Sequence, residues 1–375
     1  MSNNKKKYLF IYLNAFSGTG GIEKFNTCMM KSLYEYSLIT NHSCNNISLI
    51  DKFVDKKYIP QVLLHGFNNK KIRAIIYACM KIIETDVIIL GHTNLLVLGL
   101  WTLLFPNKKL LIMAHGIEVW QELSFWKKKV LQNCDMILAV SKYTKQQIMA
   151  KHQISETKIQ IFHNTINPFF ELPKSFEKSE YLLDRYKITN HINGKIFFTL
   201  ARLSSAEQYK GYDKVLEAMP MVLQKYPTCK YVIAGKYDEI EYQRIQAIIV
   251  EKKLENSVIL TGFVKDEELI DHYLLADTFI MPSRGEGFGI VYLEAMACGL
   301  SIIAGNADGS RDALRNGELG TLINPESVEE IANAMLSHIE NPLNNNKKIK
   351  LQEKVMSYFG FENFKQRTAE IMGLV

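Results

Sequence analysis

Short, continuously apolar runs alternate with longer stretches in which apolar positions recur every three or four residues, and this alternation persists through almost the whole chain. In the first half, Tyr8–Leu13, Ile47–Ile50, Val87–Leu90, Leu110–Met113, Met136–Val140 and Ile159–Phe162 read as strands. Helical spacing occupies Gly21–Leu38, Lys70–Glu84 and Lys142–Lys151. In the second half the strand runs are Lys195–Leu200, Lys230–Ala234, Val258–Leu260, Thr278–Met281, Ser301–Ala304 and Thr321–Ile323. Their helical partners are Gly211–Tyr226, Glu239–Lys252, Asp266–Ala276 and Ile290–Cys298. Strands without polar alternation are buried on both faces, so the pattern predicts parallel sheets covered by helices on each side. It runs twice. The expected fold is α/β, two Rossmann-like doubly wound domains facing across a cleft, with ligands outside the carboxyl ends of the strands. The boundaries read as a first domain over 1–170, a linker over 171–194 that is charged and contains Pro173, and a second domain over 195–357. The aromatic-rich end, about 358–375, is expected to pack back on the first domain.

Two apolar segments raise the question of a leader or a membrane span. Lys5, Lys6 and Lys7 precede Tyr8–Leu13, but that run is short for a signal peptide and no small-residue cleavage site follows. Val87–Phe105 is long and apolar, yet His92, Thr93 and Asn94 would be costly in lipid. It reads instead as a strand, a turn and a buried helix over Asn94–Phe105, and no transmembrane helix is expected.

The 375 residues suit two domains, and 47% hydrophobic with 22% charged residues excludes a disordered or fibrous chain. Six scattered cysteines without a C-x-x-C exclude a disulfide scaffold and a zinc knuckle and suggest reduced thiols in a cytoplasmic protein. The net charge of +6 is uneven: residues 1–170 hold 21 Lys+Arg and 10 Asp+Glu, residues 171–375 hold 24 and 29. A basic first half fits an anionic partner or simply a solvated lysine-rich surface.

Four motifs carry candidate chemistry. Gly18-Thr19-Gly20-Gly21 follows the first strand and opens a helix, where backbone N–H groups can approach a phosphate. Its spacing matches neither a nicotinamide fingerprint nor a P-loop, and a plain tight turn is the other reading. Arg202 and Lys210 flank the loop after Lys195–Leu200, a planar fork and a point charge able to clamp a diphosphate, or two unrelated surface cations. Gly285-Glu286-Gly287-Phe288-Gly289-Ile290 ends a strand and starts a helix, with Glu294 inside that helix. Glu286 can accept hydroxyl hydrogen bonds, the Phe288, Gly289 and Ile290 N–H groups lie at the positive helix end, and burial of Glu294 demands a partner. His115, at the end of Leu110–Met113, reads as a cleft-facing group or as a satisfied core histidine.

Together these residues resemble the retaining glycosyltransferases of family 4, the group 1 transferases, which have the two-Rossmann GT-B fold. The resemblance covers nearly the whole chain, and its most specific element is the Glu286-to-Glu294 spacing. It implies that Arg202 and Lys210 bind the donor diphosphate, that Gly20 and Gly21 close over it, and that Glu294 holds the ribose. It likewise implies that Glu286 and the Phe288, Gly289 and Ile290 backbone hold the donor sugar, that His115 touches the sugar near the reacting centre, and that Val264 meets the base through its backbone. His115, Glu286, Arg202 and Lys210 are the catalytic set implied; Glu118 and Asn164 are candidates on the acceptor side. Where many members have Asn-Gly-Val-Asp, this chain has Asn164-Thr165-Ile166-Asn167, which weakens a role for Asn167. The Ser204–Tyr209 loop is longer than in some members.

The implied reaction is transfer of a hexose from a nucleotide diphosphate sugar, a UDP- or GDP-sugar, to a glycan or lipid-linked acceptor, with retention by front-face attack. No Asp-x-Asp occurs, so no metal is expected, and no other cofactor. The Lys127-Lys128-Lys129 run after Trp120, Phe125 and Trp126, followed by Lys142, Lys145 and Lys151, suggests peripheral contact with anionic membrane at the cytoplasmic face, or a helix with its tryptophans in the core. Cell-surface polysaccharide assembly, such as lipopolysaccharide or capsule, would suit such a surface. The alternatives are a sugar-nucleotide epimerase on the same fold and a non-catalytic sugar-nucleotide-binding partner of a transferase. Nucleic-acid binding lacks any motif.

Overall fold

A computed structural model describes residues 5–189 and 195–374. It divides into two compact units, Met1–Pro168 with Phe359–Val375, and Phe169–Tyr358.

The first unit is built on a seven-stranded parallel sheet in the order β3-β2-β1-β4-β5-β6-β7. The strands are β1 (Lys7–Tyr12), β2 (Ser43–Ser48), β3 (Leu64–Gly66), β4 (Val87–Leu90), β5 (Lys109–Ala114), β6 (Met136–Ala139) and β7 (Ile159–Ile161). The continuous apolar runs have the double burial expected of them. Tyr8, Phe10 and Tyr12 of β1 enter one core layer and Leu9 and Ile11 the other, because successive side chains point to opposite faces. The Gly21–Thr40 helix covers the first layer with Phe25, Met29, Leu33 and Tyr36, a helical spacing of four, four and three. The terminal helix, Phe361–Leu374, joins the same layer through Phe361 and Phe364, and the Tyr8 hydroxyl donates to the Met372 carbonyl at 3.4 Å.

The second unit has a six-stranded parallel sheet in the order β10-β9-β8-β11-β12-β13. Here β8 is Ile196–Leu200, β9 Lys230–Ala234, β10 Val258–Gly262, β11 Thr278–Met281, β12 Ser301–Gly305 and β13 Thr321–Ile323. One face packs Phe197, Tyr231, Ile233, Ile280 and Ile303 under helices; the other is aromatic, with Phe198, Tyr273, Phe279 and Tyr292 in edge-to-face contact. Both units are therefore doubly wound parallel α/β sheets.

Three expectations change. The stretch 171–194, read as a linker, is built into the second unit as far as 189; residues 190–194 lie outside the described residues. A helix over Glu180–Arg185 buries Leu182 and Leu183, Arg185 grips Glu268 with both terminal nitrogens, and Lys178 reaches Asp277 at 2.7 Å. The second strand starts at Ser43 rather than Ile47, because pairing Lys7↔Ser43 through Tyr12↔Ser48 fixes the backbone whatever the side chains. Polar Asn46 is accommodated by donating to the Leu63 carbonyl. The apolar Asn94–Phe105 segment is helical over Leu96–Thr102 but buried on one face only: Val97, Leu100 and Leu104 are exposed. No helix among the described residues is long and apolar enough to cross a membrane.

Asp277 ties the second unit together at the amino edge of its sheet. Its carboxylate takes Lys178 (2.7 Å), Lys195 (3.3 Å) and the Ile196 N–H (2.9 Å). Burial would raise its pKa, but the two ammonium groups and the N–H hold it below the usual carboxylate range. Asp277→Ala leaves two cations facing each other and should cost about 2 kcal/mol. Urea denaturation measures this; a loss within the noise of a surface substitution would reject the role.

Candidate active site

In the second unit the carboxyl ends of β8 and β11 part early. Their ladder runs through Thr278↔Phe197 and Phe279↔Phe198, and beyond it the Thr199 hydroxyl donates to the Ile280 carbonyl. Two loops fill the opening. The loop from β8 carries Arg202, 66% exposed and paired with Glu207 at 3.2 Å, and then a 3₁₀ turn over Gln208–Lys210. That turn must end in Gly211, whose φ is +78° and where a Cβ would meet the Pro282 carbonyl oxygen at 2.2 Å. The turn is anchored from behind: Gln208 donates to Glu241 at 3.0 Å, and the same fully buried carboxylate accepts from Tyr212 and Arg244.

The loop from β11 brings Glu286 against the Lys210 ammonium, both side chains less than one-fifth exposed. Burial alone would pull the Lys210 pKa down; the Glu286 carboxylate and then Tyr209 more than offset this and hold it above the ordinary lysine value. Backbone bonds lock the Glu286 loop. Its N–H donates to the Asp308 carboxylate at 2.6 Å and its carbonyl accepts from the Gly309 N–H at 2.9 Å. Gly309 is required there, since a Cβ would sit 2.0 Å from the Gly287 carbonyl oxygen. Burial pushes the Asp308 carboxyl up to about 6, although the N–H groups of Glu286 and Ser310 and the Ser310 hydroxyl act the other way.

From Gly289 the chain enters the Ile290–Ala297 helix, whose first N–H groups have no intrahelical acceptor. Phe288 and Ile290 turn their side chains inward. Glu294 is 1% exposed and accepts from the Tyr273 hydroxyl at 2.9 Å. The partner that its burial demanded is thus Tyr273, and the carboxylate is not open to solvent. Val264, two residues past β10, has a buried side chain, while neighbouring Phe263 is 56% exposed. Nearby, Tyr237 stacks on Tyr242 with ring centroids 4.6 Å apart, bordering a cavity of about 310 Å³ with Thr261 and Gly262.

In the first unit the equivalent edge holds Gly20, Gly21, His115 and Glu118. His115 follows β5; its Nε2 lies 2.9 Å from the Gly91 carbonyl, so that nitrogen carries the proton, and its ring meets Phe25 edge-on. The Glu118 carboxylate accepts the His115 N–H at 2.5 Å. Gly20 caps the Gly21–Thr40 helix, but a Cβ there would lie 2.5 Å from the Glu23 carboxylate, which folds back beside the loop and accepts from Asn14 at 3.0 Å. Asn164 is buried, and its Oδ1 has no hydrogen-bond partner among the described residues.

The structure therefore joins Lys210 to Glu286, places Arg202 on the same loop but on Glu207, and sets Glu294 apart on Tyr273. Sequence reading missed Asp308, Tyr273 and Asp51, whose buried carboxylate accepts the Ala15 and Phe16 N–H groups and shapes the loop before Gly18. For Asp308 a signal existed: an acid, a glycine and a serine directly after an apolar strand. Among the described residues no group of three or more His, Cys, Asp or Glu is arranged to hold a metal ion.

Two family models match. Glycosyl transferases group 1 covers residues 185–355 and Glycosyltransferase Family 4 covers 41–169. An uncharacterized glycosyltransferase of Methanocaldococcus jannaschii is 30% identical over 202 residues, 54% of this chain and 50% of that one. A GDP-mannose-dependent alpha-(1-6)-phosphatidylinositol monomannoside mannosyltransferase of Mycobacterium tuberculosis is 27% identical over 238 residues, 60% of this chain and 59% of that one. The matches span half and about three-fifths of the length of these relatives. Anabaena HepE, in a crystal structure with UDP-glucose, has the same fold at a TM-score of 0.76, with 18% identity over 99% of this chain and 100% of that one.

The histidines give a pH signature. Burial, against the Gly91 carbonyl and Glu23, lowers His115 to about 4; burial, against Glu118, lowers His92 to about 4 as well, from an ordinary 6.5. The unfolded chain then binds more protons than the folded one between these values. The contribution of these two histidines to stability is complete above pH 6.5 and is lost as the pH drops toward 4. His115→Asn removes one titration and should flatten the dependence of the urea midpoint on pH in that window; an unchanged slope would contradict the assignment.

Proposed function

The chain belongs to the group 1 glycosyl transferases and carries their GT-B fold, and from that premise we propose that it is a retaining, metal-independent hexosyltransferase. Its donor is a UDP- or GDP-sugar, its acceptor a hydroxyl of a glycan or lipid-linked glycan, and its setting the assembly of a cell-surface polysaccharide at the cytoplasmic face of a membrane. The observation that carries this reading is the Lys210–Glu286 contact on a glycine-rich loop that runs straight into a helix N-terminus. A nucleotide diphosphate sugar needs a cation for its phosphates and a carboxylate for its hydroxyls in one place. Without the donor, each of these groups neutralises the other; with it, Lys210 turns to the diphosphate and Glu286 to the sugar. The relative named for GDP-mannose and a phosphatidylinositol acceptor supports both the donor class and the lipid-linked acceptor.

Lys210, Arg202 and the N–H groups around Phe288, Gly289 and Ile290 take up the charge that develops on the departing diphosphate. The bond from the anomeric carbon to the phosphate oxygen breaks, and the bond to the acceptor oxygen forms on the same face. The acceptor proton passes to the leaving phosphate oxygen. Glu286 orients the sugar rather than attacking it, since its backbone is locked by Asp308 and Gly309 and its carboxylate, released from Lys210, is taken up by the sugar hydroxyls. Glu294 holds the ribose hydroxyls beside Tyr273, and Val264 meets the base through its backbone. Gly20 and Gly21 serve the diphosphate, neutral His115 the sugar, and Glu118 and Asn164 the acceptor. Lys210 and Arg202 do the work that a bridging divalent cation would otherwise do.

Lys210→Ala and Glu286→Ala should each lower kcat/KM by about 10²–10³ while leaving the melting temperature near that of the native protein. Glu294→Gln should raise the donor KM more than it lowers kcat. Nucleotide release from a panel of UDP-, GDP-, ADP- and CMP-sugars, with and without EDTA, makes the test. Native turnover in either folded alanine variant would sink the site, inversion of the anomeric centre would sink the mechanism, and loss of turnover with EDTA would sink metal independence.

A further inference from the structure

The helix Lys71–Ile83 is apolar on both sides. Its inward face is Ala74, Ala78 and Ile82, all fully buried. Its outward face is Ile72, Ile76, Met80 and Ile83, spaced by four, four and three residues and therefore in one stripe. These are 77%, 56%, 53% and 50% exposed. The neighbouring Leu96–Thr102 helix repeats the arrangement with Val97, Leu100 and, just past its end, Leu104. Trp101 Nε1 donates to the Cys79 carbonyl at 3.0 Å and Lys108 Nζ to the Ile83 carbonyl at 2.7 Å, which sets the two stripes side by side. Apolar side chains gathered in contiguous outward stripes mark an interaction surface.

Charge indicates what that is. Residues 70–108 hold five cations, Lys70, Lys71, Arg73, Lys81 and Lys108, against Glu84 and Asp86. Glu84 is already paired with Lys81, and the Asp86 carboxylate accepts the Lys7 N–H. Lys70, Lys71 and Arg73 crowd the positive end of their helix, which has no acid in its first turn, an arrangement that is unfavourable until an anion meets it. The Phe125–Asn133 helix, whose Val130 packs against Gly99, extends the same character with Phe125 and with Lys127, Lys128 and Lys129.

We propose that this surface docks on an anionic lipid bilayer, with the apolar stripes entering the acyl boundary and the cations meeting lipid phosphates. A second copy of the chain fits less well. A two-fold contact would lay the patch on itself and bring five cations against five. The surface shares Phe125 and Lys127–Lys129 with the one the sequence suggests, but not its Trp120 and Lys142–Lys151 part. There, Trp120 packs edge-on against Tyr143 and its Nε1 donates to buried Thr144, while Lys145 is paired with Glu156. The docking is independent of donor chemistry.

Flotation of the full chain with phosphatidylcholine vesicles, alone and with about one third phosphatidylglycerol, tests it. The native protein should float with the anionic vesicles and progressively less as salt rises. The Ile72→Ser, Ile76→Ser, Met80→Ser variant should lose about tenfold or more of that binding with an unchanged melting temperature. The Lys70→Glu, Lys71→Glu, Arg73→Glu variant should lose it as well, and both should keep the native rate of donor-dependent nucleotide release. The proposal is overturned if the native protein does not float, or if both variants float as it does. It is also overturned if light scattering finds a dimer that the serine variant dissociates while vesicles bind neither form.

Discussion

In each sheet the earliest strand of the unit lies between the second and the fourth, so the chain must leave neighbouring strands toward opposite faces. Right-handed crossovers allow no other route, and the two loops that depart cannot fill the space at the carboxyl ends of the strands. The Lys210–Glu286 pair sits in a gap of that kind. The gap in the second unit is widened further because β8 and β11 stop pairing after two residues, their remaining contact passing to the Thr199 hydroxyl. One loop delivers Lys210 and the other Glu286 into the opening. The first loop passes so close to Pro282, and the loop after β12 so close to Gly287, that Gly211 and Gly309 tolerate no side chain.

Electrostatics then decides how those loops stand in the absence of a ligand. Three acids, Glu286 before the Ile290–Ala297 helix, Glu294 within it and Asp308 after the following strand, each have a separate solution. Glu286 takes a cation, Glu294 takes a phenol hydroxyl, and Asp308 takes two backbone N–H groups. Only the first of these pairings is easily exchanged for another, because only Lys210 and Glu286 retain solvent contact. The site is thus rigid in its backbone and adjustable in one ion pair, which suits binding of a ligand that carries both an anionic and a hydroxylated end.

Most of the strands and the main candidate residues were legible because the runs that form them are apolar and continuous, as at Tyr8–Leu13 and Thr278–Met281. What escaped was set by partners distant in sequence. Ser43–Asn46 is a strand because β1 pairs with it, and Leu64–Gly66 because β2 does, though neither has a strand's composition. Residues 171–194 lack strand character and suggest a linker, yet Arg185, Tyr181 and Lys178 each answer an acid some 80 to 100 positions away. The Val328–Glu340 helix had a visible apolar spacing in Ile331, Ala332 and Met335, and was overlooked between two more conspicuous segments. Asn94–Phe105 was misjudged for a different reason. An all-apolar helix reads as buried, and a single sequence does not say whether its outer half is covered by the same chain.

The spacing between Glu286 and Glu294 is the strongest pattern in the sequence, but spacing says nothing about the environment of either group. The structure gives the two carboxylates unlike surroundings on one continuous segment. Glu286 precedes the helix and faces its positive end, where charge is favoured and water has some access. Glu294 lies inside the helix, at 1% exposure, where a charge is tolerable only while hydrogen-bonded. The first can trade partners at little cost, whereas the second must keep its acceptor positions filled at every stage. A ligand hydroxyl at Glu294 therefore adds to, or takes over from, a bond of the kind Tyr273 already makes. This separation of a mobile charge from a fixed acceptor needs the Gly287–Gly289 loop between them, since a helix continued back to Glu286 would place both carboxylates on one rigid rod.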